Sequence, residues 1–151
     1  SALFGDKLTY TSPAHKLNKI GSAKGELIGG NLSLLNNIIG TKSDFDWSGK
    51  ILFIEDLDEY LYHIDRMMVH LNRCGKLENL AGLVVGSMSS MHDNAIPFGK
   101  NVEEIIFEHT SKYKYPICFN FPIGHEHENL AVRCGEKVFL EVNSESVILN
   151  N

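Results

Sequence analysis

The fold of this chain is decided by one stretch, Lys50-Ile51-Leu52-Phe53-Ile54-Glu55-Asp56. Its four central residues are all apolar, and the run is too short for a buried helix. Gly49 precedes the apolar residues and two acids follow them, which is typical of a strand buried on both faces of a parallel sheet. The stretch therefore predicts a central parallel strand that ends at Glu55.

Residues 81–86 and 116–119 are two more short apolar runs, and a segment with helical spacing precedes each of them. The apolar residues of these two helical segments are Leu57, Leu61, Ile64, Met68 and Leu71, then Val102, Ile105, Ile106 and Phe107. Asp56 and Glu59 stand three positions apart, so we expect Asp56 to cap the first helix, which Gly75 terminates. The alternation predicts a parallel sheet with right-handed crossovers. The strand ends near Glu55, Gly86 and Gly124 would then share one edge, where ligands bind in such sheets.

The flanking segments indicate further β structure. Short alternations within residues 7–30 predict short strands, and residues 130–132, 138–142 and 147–149 predict an antiparallel meander. Between them, Asn31 and Gly40 bracket a helical spacing as N-cap and C-cap. With 151 residues, 43% of them hydrophobic, the chain can bury one core, so we expect a single α/β domain over residues 1–151.

Composition argues against several classes of partner. The net charge of -5 and the scattered Lys and Arg residues give no surface for nucleic acid. No apolar run is long enough to span a bilayer, so we expect no membrane contact. Cys74, Cys118 and Cys134 are odd in number and form no CxxC motif, which favours reduced thiols in the cytoplasm.

Glu55 and His125 are the candidate catalytic residues. Both follow predicted buried strands, so the sheet would bring them to the same edge although they lie 70 positions apart. A carboxylate can orient an imidazole, and the imidazole can then act as a base toward a hydroxyl nucleophile. Gly124 would permit close backbone approach beside His125. The alternative is that Glu55 caps a helix and His125 is an ordinary loop histidine.

Three further features could bind a ligand. The first is His125-Glu126-His127-Glu128, which could hold a divalent metal but lacks the HExxH spacing, so we expect a solvated turn and no metal. The second is the predicted turn at Gly29-Gly30-Asn31, which could hold a carboxylate or phosphate or could simply be a capped turn. Ser87 follows Gly86 without the second glycine of a nucleophile elbow, so we interpret it as a loop hydroxyl with a possible substrate contact.

The same stretches resemble the C-terminal domain of the LD-carboxypeptidase family of serine peptidases, which includes muropeptide LD-carboxypeptidases and microcin C self-immunity peptidases. The resemblance covers nearly the whole chain and rests on the order and spacing of several blocks. These blocks are Gly25-Glu26-Leu27-Ile28-Gly29-Gly30-Asn31-Leu32-Ser33-Leu34-Leu35, Ile39-Gly40-Thr41, the stretch from Gly49 to Asp56, Asp65-Arg66-Met67 and Ile123-Gly124-His125.

The resemblance implies a Ser-Glu-His triad in which Glu55 orients His125 and His125 is the general base. The serine and the oxyanion hole would lie on a preceding N-terminal domain, which we expect to be absent from this chain, so the isolated chain should be inactive. Gly30 and Asn31 would border the substrate pocket. The implied fold is a three-layered swivelling β/β/α domain, with a parallel central sheet, flanking helices and a smaller antiparallel β layer.

The implied reaction is hydrolysis of an L,D-amide that releases a terminal D-amino acid from a murein peptide, without metal or organic cofactor. The resemblance also implies homodimers of the full-length protein in the bacterial cytoplasm. Three alternatives remain at this point. They are cleavage of a peptidyl-nucleotide, as in microcin C immunity, a non-catalytic interaction domain of the same fold, and a metal-dependent protein that uses His125 and His127.

Overall fold

The computed structural model describes residues 7–151, which form a seven-stranded mixed sheet and three helices. The strands are β1 (Thr9–Pro13), β2 (Gly21–Asn31), β3 (Ile51–Leu57), β4 (Gly82–Ser89), β5 (Ile117–Cys118), β6 (Lys137–Val142) and β7 (Ser146–Asn150). The helices are α1 (Leu32–Ile38), α2 (Leu61–Arg73) and α3 (Val102–Thr110). The strand order is β1-β7-β6-β2-β3-β4-β5.

Strand β2 belongs to both halves of the sheet. Its first residues, 21–26, pair antiparallel with β6, and its last residues, 27–31, pair parallel with β3. Strands β3, β4 and β5 continue the parallel half, whereas β1, β7 and β6 form the antiparallel half. The predicted parallel core with a smaller antiparallel part is therefore confirmed.

Strand β3 separates two apolar clusters. Leu52 and Ile54 pack with the helices on one face, while Ile51 and Phe53 pack with strands β6 and β7 on the other. All four side chains are buried, which explains why the run is apolar without alternation. Burial of each side chain stabilises the fold by about 1.5–3 kcal/mol. The result is the expected three layers of helices, parallel sheet and antiparallel strands.

The start of α2 corrects the prediction for Asp56. Helix α2 begins at Leu61, its N-cap Tyr60 makes no side-chain cap hydrogen bond, and Asp56 lies inside β3 with 2% exposure. The strand runs on because Leu57 still pairs with Ser89 of β4. The prediction that Asp56 caps this helix is therefore wrong, and Glu55 does not lie at a helix N-terminus.

Two other local predictions need correction. Gly29 and Gly30 lie inside β2 and not in a turn, because the parallel pairing with β3 continues to Asn31. Residues 130–132 form no strand. They are held instead by single contacts, such as the hydrogen bond from Tyr10 Oη to the carbonyl of Ala131 at 2.7 Å.

The predicted ends of α1 are largely as expected. Asn31 is its N-cap, with Oδ1 accepting from the backbone N–H of Leu34 at 3.1 Å. The helix ends at Ile38, and Gly40 follows with a φ of 77° that favours glycine. None of the helices within residues 7–151 is long and apolar enough to cross a bilayer.

Candidate active site

A β-bulge marks the carboxyl edge of the parallel strands. Ile54 of β3 pairs with Val85 of β4, but Asp56 pairs with Met88, so one residue of β3, Glu55, faces two of β4. Bulges of this kind redirect side chains next to functional sites. Here the extra β4 residue brings Ser87 beside Glu55 and the loop that follows β5.

Glu55 and His125 are in direct contact at this edge. Glu55 Oε2 lies 2.6 Å from His125 Nδ1, and the two side chains are 9% and 48% exposed. With the carboxylate as acceptor, Nδ1 carries the proton and Nε2 is the ring nitrogen left to act as a base. The acid is buried and fixed, whereas the imidazole remains reachable from solvent. This geometry suits an orienting acid and a base, and the catalytic role of the pair stays a prediction.

The loop that carries His125 is fastened to β4 by its backbone and by side chains. Ser87 Oγ accepts from the backbone N–H of His125 at 3.0 Å, and the Ser87 N–H donates to the carbonyl of Ile123 at 2.8 Å. Two residues further along β4, Ser89 Oγ donates to Glu126 Oε1 at 2.5 Å. The position of the imidazole therefore depends on the end of β4.

Gly124 is required by close packing. Its φ is 138°, and a Cβ built there would lie 2.0 Å from Ser87 Oγ and 3.2 Å from Glu55 Cβ. A distance of 2.0 Å is far inside van der Waals contact, so any side chain at this position must displace Ser87 or the loop. The expectation of close approach at Gly124 is confirmed.

Asn31 lies next to Glu55 in the sheet, since the two residues pair across β2 and β3. Its Oδ1 caps α1, and its Nδ2 donates to Asp56 Oδ1 at 2.8 Å. Both polar atoms of the Asn31 side-chain amide are thus hydrogen-bonded within the protein. A Cβ built on neighbouring Gly30 would meet no atom within 4 Å, so this position borders open space. The substrate-binding roles of Gly30 and Asn31 stay predictions.

Ser87 is the third residue predicted to contact substrate. Its hydroxyl holds the backbone of His125, and it also lines a shallow pocket with Glu103, Glu126 and Glu128. The first contact assigns it a positioning role, which the sequence does not indicate. Its contact with substrate stays a prediction.

Asp56 is a supporting residue that sequence reasoning misplaced. Its carboxylate accepts from Asn31 Nδ2, from the backbone N–H of Ser33 at 3.1 Å and from that of Leu57 at 2.9 Å. It therefore holds the start of α1 and not that of α2. The orientation of Asp56 could have been predicted from the sequence. Successive strand residues face opposite sides of a sheet, so Asp56 must point away from Glu55.

The metal-site alternative would need a cluster of ligand side chains. Within residues 7–151, no three His, Cys, Asp or Glu side chains are grouped so that they could hold an ion. His127 lies in the exposed part of the loop. The buried Cys118 also has no ligand role, and burial raises the pKa of its thiol well above the usual range.

Comparison with known proteins identifies the family. Residues 24–140 match the family described as LD-carboxypeptidase C-terminal domain. The probable murein peptide carboxypeptidase of Bacillus subtilis is 36% identical over 149 residues, which cover 95% of this chain and 46% of that protein. The microcin C7 self-immunity protein MccF of Escherichia coli is 27% identical over 134 residues, which cover 84% of this chain and 37% of that protein.

A solved structure has the same fold. The crystal structure of muramoyltetrapeptide carboxypeptidase from Oxalobacter formigenes superimposes with a TM-score of 0.88 and 26% identity, covering 98% of this chain and 50% of that one. The chain thus spans about half the length of these carboxypeptidases. Since the family match extends over most of the sequence, the chain belongs to the family of LD-carboxypeptidase C-terminal domains.

Proposed function

We propose that this chain is the C-terminal half of a serine peptidase that hydrolyses an L,D-amide bond and releases a terminal D-amino acid from murein peptides. The observation that carries the proposal is the 2.6 Å contact between Glu55 Oε2 and His125 Nδ1 at the carboxyl edge of the sheet. The names of the Bacillus subtilis and Oxalobacter formigenes relatives support the same substrate class.

The nucleophile is proposed to come from an N-terminal domain of the same protein. Two facts support this assignment. The chain spans about half the length of its relatives, and the Ser87 hydroxyl already accepts a hydrogen bond from the backbone N–H of His125. A serine supplied from outside would approach the exposed side of the imidazole and reach Nε2.

In the proposed reaction, that serine gives its proton to His125 Nε2 while its oxygen attacks the scissile carbonyl. Glu55 holds the proton on Nδ1 and stabilises the imidazolium that forms. His125 then passes the proton to the departing amine of the D-residue, which leaves an acyl-serine ester. A water molecule gives a proton to Nε2 and attacks the ester, and Nε2 returns that proton to the serine oxygen as the shortened peptide leaves. The scheme uses no metal or organic cofactor.

The test is D-alanine release from murein tetrapeptide by the longer protein that carries this domain. Glu55→Gln should lower kcat by about 10⁴-fold, since the orienting acid of such triads has an effect of this size. His125→Ala should lower it at least as much. His127→Ala is the matched control from the same loop, and it should retain activity.

Four results would contradict the proposal. Retained activity in Glu55→Gln and His125→Ala would remove the triad, and turnover by the isolated 151-residue chain would place the nucleophile within it. Zinc bound at one equivalent and lost in His127→Ala would favour the metal-dependent alternative. An inactive longer protein would favour a non-catalytic interaction domain.

A second candidate function is cleavage of a peptidyl-nucleotide amide, and the similarity to MccF of Escherichia coli favours it. The same triad would serve, because only the group joined to the amide differs. Parallel assays of the longer protein on murein tetrapeptide and on an aminoacyl sulfamoyl adenosine would separate the two. A much larger kcat/KM for the nucleotide would assign the second function.

We also propose a cytoplasmic, homodimeric full-length protein. The three cysteines are unpaired, which suits a reducing compartment, and the dimer follows only from the resemblance to the family. Fractionation of cells and sedimentation of the longer protein test these two points. Recovery of the protein outside the cytoplasm, or a monomer at micromolar concentration, would contradict them.

A further inference from the structure

One face of the antiparallel half of the sheet is turned away from the core. Along β6, Val138 and Leu140 are buried in an apolar cluster, whereas Phe139 between them is half-buried. Phe139 lies opposite Lys24 of β2 on one side and opposite Asn150 of β7 on the other. Residues directly opposite each other share one face of a sheet. The side chains of Lys24, Phe139 and Asn150 therefore lie together on this outer face.

Two more lysines join this group. Lys137 is two positions before Phe139 in β6 and so faces the same side. Lys7 is held nearby, because the Leu8 N–H donates to Asn151 Oδ1 at 2.6 Å and the Leu8 carbonyl accepts from the Asn151 N–H at 3.2 Å. These side chains border a groove of about 470 Å³. We call it the lysine groove, and the residues that define it are Lys7, Lys24, Lys137, Phe139, Asn150 and Asn151.

The positive charge of the lysine groove is not neutralised within residues 7–151. Lys24 Nζ lies 5.8 Å from the centroid of the Phe139 ring. None of the three ammonium groups makes an ion pair or a hydrogen bond with another described residue, and no acidic side chain lines the groove. Glu141, two positions beyond Phe139 on the same face, also lies outside its lining.

The acids that adjoin the lysine groove are already paired with other cations. Glu26 lies opposite Lys137 in the sheet, but its Oε2 contacts Lys50 Nζ at 2.7 Å. Glu136 precedes Lys137 along the chain, and its Oε1 contacts Arg133 Nη1 at 3.0 Å. The ammonium groups of the groove therefore face solvent with their charge available to a ligand.

We infer that the lysine groove binds a small, free anion that carries two or more phosphate groups. Ammonium groups bind phosphate as point charges, and three of them spread along one groove suit several phosphate groups better than one. The Asn150 amide adds a neutral donor, since its side chain makes no hydrogen bond within the described part of the chain. The net charge of -5 repels an extended anionic surface, whereas screening leaves a small ligand exposed mainly to the local cations.

The lysine groove lies away from the candidate active site. Lys24 is in the antiparallel part of β2, whereas Asn31, which pairs with Glu55, is the last residue of that strand. At about 3.3 Å per residue, the two positions in β2 are about 23 Å apart. The inference is therefore independent of the proposed function.

The test is titration of the 151-residue chain with sodium pyrophosphate, followed by amide NMR. Saturable shifts should appear at Lys24, Phe139 and Asn150. Inorganic phosphate should bind at least about fivefold more weakly, because it reaches fewer ammonium groups and one exposed ion pair contributes up to about fivefold in affinity. The dispersed amide spectrum also reports that the chain is folded.

Variants of exposed lysines test the same groove. Lys24→Gln and Lys137→Gln should each weaken pyrophosphate binding by about three- to fivefold, and Lys24→Arg should retain it because the charge remains. Lys42→Gln is the matched control, since Lys42 is exposed in the loop after α1 and the substitution removes the same charge. That variant should bind pyrophosphate as the wild type does.

Five results would overturn the inference. The first is no saturation by about 10 mM pyrophosphate, where even a Kd of about 1 mM would give nearly full occupancy. The second is equal affinity for phosphate and pyrophosphate, and the third is equal weakening by Lys42→Gln and Lys24→Gln. The fourth is lysine-dependent binding to phosphatidylglycerol vesicles without saturation by pyrophosphate, which would assign the groove to a membrane surface. The fifth is binding by the 151-residue chain that calorimetry does not find in the longer protein.

Discussion

Substitution of Gly124 by alanine tests the close packing that positions His125. The new Cβ would lie 2.0 Å from Ser87 Oγ, so Ser87 must rotate or the loop must move. Either change breaks the hydrogen bond from the His125 N–H to Ser87 Oγ, which contributes about 0.5–1.5 kcal/mol. The φ of 138° adds about 1–3 kcal/mol for a residue with a Cβ. Together these effects lower the free energy of unfolding by about 2–4 kcal/mol.

Gly135→Ala is the matched control for this substitution. Gly135 also has a left-handed φ, 84°, but a Cβ there meets no atom within 4 Å. The Gly135→Ala substitution should therefore lower the free energy of unfolding through backbone strain alone, by about 1–2 kcal/mol. The difference between the two variants isolates the contact with Ser87.

Urea unfolding of the 151-residue chain measures both variants, and proton NMR reports the Nδ1–H of His125 that Glu55 accepts. Gly124→Ala should weaken or abolish that resonance, while Gly135→Ala should preserve it. Adding Ser87→Ala to Gly124→Ala removes the closest clash and should recover part of the loss, so the double variant should be less destabilised than the sum of the two single variants. A Gly124→Ala variant that loses no more stability than Gly135→Ala, with the resonance intact, would refute the packing argument.

Three further predictions concern the rest of the chain. Asp56→Ala should lower the free energy of unfolding by about 2–4 kcal/mol, because three buried or half-buried donors lose their acceptor; an unchanged urea midpoint would contradict this. Cys118 should resist iodoacetamide at pH 8 in the folded chain, because burial raises the pKa of its thiol, while exposed Cys74 reacts; modification of both at equal rates in a mass-spectrometric time course would contradict this. The Lys76 hydrogen bond lowers the pKa of Asp44 below its ordinary value of 3.8, so the stability difference between wild type and Asp44→Asn should be constant above about pH 5 and shrink as the pH falls through the folded pKa. A difference that does not shrink on acidification would contradict this.

Much of the fold is predictable because it depends on local pattern. The apolar run of β3, the cap at Asn31 and the glycine at position 40 each carry their signal within a few residues. The first helical residue of α2 is not predictable in this way. The spacing of Asp56 and Glu59 resembles a capping box, but pairing of Leu57 with β4 extends the strand past it. Tertiary hydrogen bonding outweighs the local preference.

The candidate site is also predictable from the sequence only in part. Glu55 and His125 could be chosen from the sequence, because parallel strands bring their carboxyl ends to one edge and each residue follows such a strand. The contact of His125 with Ser87 could not, because it depends on a bulge that shifts the β4 register by one residue. The composition of one strand does not indicate which residue of the neighbouring strand lies opposite a given position.

The sequence by itself therefore determined the parallel core and the edge of the sheet at which Glu55 and His125 meet. Only the tertiary structure decided that Glu55 is buried while His125 is half exposed, that Asp56 supports α1, and that Gly124 and Ser87 position the imidazole. The physical reason is range: apolar periodicity and caps act over a few residues, whereas strand register and loop packing are set by contacts between residues far apart in the chain.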